Sequence, residues 1–188
     1  MLTGYRSFPM RLLLVFIWAL LPLAAAGQTS PAPEKLYETA FNYIRHDRQL
    51  RRMGLHLRDV AVFDSIVHQD LGVFNQDVSE LWGYISYHQQ HCLLDSLIRL
   101  DEATYHQPYF SPLTARLTAN PGSSRGATVI LFSQLDKNRL LAQVSDNQQG
   151  GPGLKNVIST FDQSVVYLFL FGPEGKIQRC YSHLVQFN

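Results

Sequence analysis

The chain is poor in the residues that most readily reveal a function. It has two cysteines, Cys92 and Cys180, among 188 residues. That number allows one intramolecular disulfide and excludes a cysteine-rich scaffold or a paired Cys-x-x-Cys metal site. Neither sign of charge is in excess, with 16 Lys and Arg against 15 Asp and Glu. Without a basic surplus, nucleic acid and anionic membrane surfaces are disfavoured as partners. The His-Glu-x-x-His zinc motif is missing, and the one Gly-x-Ser-x-Gly match, Gly122 to Gly126, is expected to lead into a strand and not into the helix that follows a hydrolase elbow. The glycine-containing loop Asn120 to Gly126 lacks the Gly-Lys-Ser/Thr ending of a phosphate loop. No repeat of solenoid period is present.

The N-terminus is the exception to this plainness. Arg6 and Arg11 precede the apolar run Leu12 to Leu21, then Pro22, then Leu23-Ala24-Ala25-Ala26-Gly27. A basic stretch, an apolar stretch and a small-residue site describe a cleavable signal peptide over residues 1–26. The uninterrupted apolar run is about half the roughly 20 residues that a membrane-spanning helix needs. Residues 1–26 carry two arginines and no acid, so the remainder has 14 basic against 15 acidic side chains, a formal −1. The expected location is periplasmic or extracellular, with no stable membrane insertion after cleavage. Residues 27–33 have the small, polar, Pro-rich composition of a linker. Residues 34–188 are expected to form one domain. An oxidising compartment would permit a Cys92–Cys180 disulfide, and sequence leaves that pairing open beside two free thiols.

The apolar pattern supports an α+β fold. A helix is expected from Pro33 to just before Gly54, with Leu36, Ala40, Phe41 and Ile44 inward. Val60 to Val67 reads as a strand. Asp77 has the spacing of a helix N-cap, with Glu80 three residues on. Leu81 to His88 suits a helix or a strand. Leu93, Leu94, Leu97, Ile98 and Leu100 form one broad helical stripe. Leu113 to Thr118 has the look of a short strand. Ala127 to Ser133, Arg139 to Ser145, Val165 to Phe171 and Ile177 onward read as four further strands. Val165 to Phe171 is apolar on both faces, as in a strand covered on both sides. The return strand alternates, with Ile177, Arg179, Tyr181, His183, Val185 and Phe187 on one face. The expected architecture is N-terminal helices packed on one face of a curved, mainly antiparallel C-terminal sheet, a meander.

Three groups could carry chemistry. His88, His91, Cys92 and Asp95 fall on one side of a helix and include good zinc ligands. With Leu97 at the centre of the buried stripe, however, they lie roughly 120–180° away, where solvated polar residues belong. The solvated reading is preferred and no metal or other cofactor is assigned. Cys180 and His183 could be nucleophile and base, but positions three apart on a strand face opposite ways. Arg179, Tyr181 and His183 mix hydrogen-bonding with apolar neighbours on one strand face, and are expected to wall a ligand pocket. Asn147 to Gly153 would be its rim or lid.

Helices followed by an antiparallel meander are similar in element order to the cone-shaped NTF2-like and cystatin-like folds. The resemblance covers residues 33–188 loosely, and those folds host enzymes, binders and scaffolds alike. The expected function is a non-catalytic exported domain, structural or binding a small molecule, peptide or envelope protein. The alternative is an exported hydrolase or metal-dependent enzyme using a His/Cys/Asp cluster.

Overall fold

A computed structural model describes residues 31–53, 55, 60–84, 86–117, 128–146 and 163–186. Helix α1 (Pro33–His46) begins with proline at its first turn and buries Leu36, Tyr37, Ala40 and Ile44. The helix does not continue to residue 53 as the periodicity suggests. Asp47 breaks it and caps a short second helix, α2 (Arg48–Arg52), by accepting from the Gln49 amide. Strand β1 (Val60–Ile66) leads to a 3-10 turn (Leu71–Phe74) and helix α3 (Asn75–Trp82). Helix α4 (Tyr87–Thr104) follows, then β2 (Tyr109–Phe110) and the short helix α5 (Pro112–Ala115). Four strands complete the chain: β3 (Thr128–Phe132), β4 (Arg139–Asp146), β5 (Gln163–Phe171) and β6 (Ile177–Gln186).

The six strands form one open sheet in the order β2-β1-β3-β4-β5-β6. The last four strands make the expected antiparallel meander. The rest departs from it: β1 lies parallel to β3, and β2 pairs antiparallel outside β1. A parallel neighbour needs a long crossover, and the segment carrying α3 and α4 supplies it.

Helices cover both faces of the sheet, not one. On the first face Leu36, Tyr37, Ala40, Ile44 and Leu50 pack with inward residues of β3, β4 and β5. On the second face Leu71, Phe74, Val78, Leu93 and Leu97 pack on Leu141 and Leu168. Strand β5 explains why both layers exist. Val165, Tyr167, Phe169 and Phe171 enter the first layer, while Leu168 enters the second with Val166 and Leu170 beside it. Each fully buried side chain of this size contributes roughly 1.5–3 kcal/mol of transfer free energy, so neither face of β5 can be left in water.

Several local expectations change. Asp77 sits within the first turn of α3 and does not cap it. The segment Leu81 to His88 is neither one helix nor one strand. Trp82 ends α3, Gly83 turns at φ 69°, and Ser86 starts α4. Pro112–Ala115 is helical where a strand was expected. In β6, a register shift opposite Leu170 and Phe171 aligns Ile177 with Phe171 but Arg179 with Leu170. The extra residue, Gln178, therefore puts Ile177 on the first face, away from Arg179, Tyr181 and His183. Phe187 and the expected lid Asn147 to Gly153 lie outside the described residues.

Candidate functional site

Residues leaving the parallel pair build a depression. Strands β1 and β3 end side by side, and the chains that follow them diverge. The Val67 amide still donates to the Phe132 carbonyl at 3.0 Å, and the Gln69 side chain donates to Leu131 at 2.9 Å. Beyond that point the backbones part, leaving a crevice outside the carboxyl ends of the strands. It encloses about 240 Å³ between His68, Leu100, Asp101, His106, Ser133 and Arg139.

Each wall of this cleft is fixed by a specific contact. Asp101, from α4, accepts from the Leu71 and Gly72 amides at 3.0 Å each. Its carboxylate thus meets two otherwise free amides at the start of the 3-10 turn. Tyr37, from the opposite face, donates to the Ser133 carbonyl at 3.0 Å and accepts from the Leu135 amide at 3.1 Å. Burial pushes the Tyr37 phenol up to about 12, although the Leu135 bond pulls it down and Tyr109 pushes it up slightly. Ser133 donates to the Gln134 carbonyl and accepts from the Leu141 amide. Arg139 pairs with Asp136 at 2.5 Å.

His68 and His106, which line the cleft, belong to a row of four rings. Tyr105 lies 5.2 Å from His68, His68 lies 5.9 Å from His106, and His106 lies 5.2 Å from Tyr109. The His68 side chain is only 15% exposed and its Nε2 is 3.3 Å from Asp70. A second depression of about 790 Å³ adjoins the first, sharing His68 and Asp101. It lies between the 3-10 turn and α4 and is lined by Val73, Leu94, Ile98 and Tyr105.

Chemically, the cleft offers imidazole, guanidinium, amide and hydroxyl groups at its edge and apolar surface beside them. Its serine hydroxyl is engaged on both sides by backbone, and its aspartates by amides or Arg139. Among the described residues no nucleophile–base pair is assembled there, because Ser133 bonds backbone and not histidine. The arrangement suits holding a ligand.

The residues singled out from sequence lie elsewhere. His88, His91, Cys92 and Asp95 are all exposed on α4. Cys92 and His88 approach one another at 3.7 Å, while His91 meets Tyr87 edge-on. Among the described residues no group of three or more His, Cys, Asp and Glu converges to hold a metal ion. Cys180 packs on the first face of the sheet, and α4, which carries Cys92, covers the second. The pairing that sequence leaves open is not made, and both thiols are free. Burial pushes the Cys180 thiol up to about 11, with Tyr43 lowering and Asp47 raising it.

Arg179, Tyr181 and His183 do share one face of β6. Arg179 donates to the Tyr181 hydroxyl at 3.3 Å, and His183 Nε2 is 2.5 Å from Asp77 Oδ2 on α3. His183 is thereby tied to the helical layer. Neither depression described above is lined by these three residues.

Sequence reasoning missed His68 and His106. The available signal was position: a polar His-Gln-Asp run follows β1 after Val67. No family model, curated protein or solved structure matches the chain.

Proposed function

We propose that the protein is an exported, non-catalytic domain that binds a ligand or partner through the two depressions meeting at His68 and Asp101. The observation that carries this reading is the incomplete burial of α4. Its apolar stripe hides Leu93 and Leu97, but Ile98 is 45% and Leu100 36% exposed. These two residues face the depressions, Ile98 the larger and Leu100 the smaller. Apolar groups left beside a cluster of oriented polar groups are the usual composition of a binding site. Export is supported by the basic-then-apolar N-terminus and its Ala-Ala-Ala-Gly site. A pocket walled by Arg179, Tyr181 and His183 has less support, since His183 is held by Asp77.

The enzymatic alternative is tested by incubation with chromogenic carboxylate esters, phosphate esters and glycosides, with and without added zinc. Hydrolysis no faster than in buffer is expected. Hydrolysis that disappears on His68→Ala or His106→Ala would replace binding by catalysis.

A further inference from the structure

The larger depression differs in chemistry from the smaller. Leu94, Ile98, Glu102 and Tyr105 follow one another at spacings of three and four, so they form a single stripe along α4 and its C-terminal cap. At 1.5 Å per residue the stripe from Leu94 to Tyr105 is about 16 Å long. The opposite wall is the turn containing Asp70 and Val73. Val73 is 44% and Tyr105 61% exposed, so the groove lies open along its length.

Its charge has one sign. Asp70, Asp101 and Glu102 line the groove, and among the described residues no lysine or arginine does. Asp101 is committed to the backbone amides, and Asp70 leans on His68. Glu102 is exposed and makes no ion pair among the described residues. An apolar floor with an acidic rim favours a ligand with the complementary pattern.

We propose that this groove binds an amphipathic peptide helix, with its apolar stripe on Val73, Leu94 and Ile98 and with lysine or arginine beside Asp70 and Glu102. The proposal rests on the reading of this region as a binding surface and names its ligand class. Two features select a helix over a compact small molecule. The groove is elongated over about three helical turns, and its volume of about 790 Å³ is open to solvent. A helix laid lengthwise uses both features, anchoring at i, i+3 or i+4, and i+7. The rim carboxylates add selection by charge and speed encounter at low salt.

The test uses a fluorescent peptide of about 15 leucine and lysine residues patterned as an amphipathic helix, titrated with the full mature protein by anisotropy. Two controls are a scrambled peptide of equal composition and a version with glutamate for lysine. The patterned cationic peptide is expected to bind at least about tenfold tighter than either control. Ile98→Asp should weaken it about tenfold or more, and Asp70→Lys with Glu102→Lys about five- to tenfold with a shallower salt dependence. All three positions are exposed, so these variants should fold. Equal binding of the controls, or unchanged affinity in the variants, would overturn the proposal. Neutral aromatic fragments added to the same protein, followed by backbone amide shifts, separate the two readings. Fragment shifts at Gly72 and Ser133 without peptide binding would overturn the helix proposal alone. No response to either probe would overturn the binding surface as well.

Discussion

The Asp101 carboxylate holds the Gly72 amide at 3.0 Å, and through it α4 sets the position of the 3-10 turn. One side chain therefore forms a common wall of both depressions. Asp101→Asn keeps one acceptor oxygen for two amides, and Asp101→Ala keeps none. Stability is expected to fall by about 1–2 kcal/mol in the first variant and by about 2–3 kcal/mol in the second. Urea unfolding of the three proteins checks the order. Equal stability of all three would mean that water replaces the carboxylate at no cost.

Tyr167 and Asp47 make a comparable contact on the other face. The fully buried Tyr167 hydroxyl donates to Asp47 Oδ2 at 2.8 Å, while Asp47 Oδ1 caps α2. Burial and then the Asp47 contacts raise the phenol well above its ordinary range. Tyr167→Phe should cost about 1 kcal/mol, because Asp47 is half-buried and water can reach it. Asp47→Ala should cost about 2–3 kcal/mol, since it removes the cap and leaves a buried hydroxyl unpaired. Thermal unfolding of the two variants would show Asp47→Ala as the less stable.

Gly175 closes the turn between β5 and β6 at φ 76°. A Cβ there would meet Pro31 at 3.0 Å and Leu36 at 3.2 Å, where the turn touches the start of α1. Gly175→Ala is therefore strained in its backbone and crowded by α1. It should destabilise by about 1–3 kcal/mol in chemical denaturation, combining the left-handed penalty with the displaced contacts.

The two thiols should separate by reactivity. Cys92 is exposed, whereas burial moves Cys180 from its ordinary 9.0 to about 11. At pH 8 an alkylating reagent should label Cys92 first and Cys180 only after denaturant is added. Mass spectrometry of unreduced protein should count two free thiols. Tyr37 rises from 10.0 to about 12, chiefly through burial. For Cys180 and Tyr37 the unfolded chain ionises before the folded one. Their contribution to stability is whole below about pH 9 and is lost as pH rises from 9 to 12. Equilibrium unfolding measured across that range should show stability falling with pH. A flat profile would contradict the burial of these groups.

The meander was legible because alternation reports burial directly. Both sides of Val165–Phe171 are apolar and both are covered, and the mixed strand that follows lies at the sheet edge. What alternation cannot report is a bulge, so Ile177 was placed with Arg179 and lies on the other face. The parallel pairing of β1 with β3 depends on contacts between distant segments, which local pattern does not encode. Ser86-Tyr87-His88-Gln89 did carry a readable signal. Ser86 and Gln89 form a reciprocal capping box, whereas Asp77, which looked like a cap, reaches His183 instead. The candidate site was the least legible part. The stripe from Leu93 to Leu100 reads as uniformly buried, whereas Ile98 and Leu100 lie on the part of it left uncovered.

The most direct test of that surface is a backbone amide shift map of isotope-labelled protein titrated with a mixture of neutral aromatic fragments. Binding at the two depressions requires the largest shifts at Gly72, Val73, Ile98, Thr104 and Ser133, and their loss in an Ile98→Asp, Leu100→Asp variant. Shifts centred on Arg179 to Val185, or no saturable shift at any residue, would contradict it.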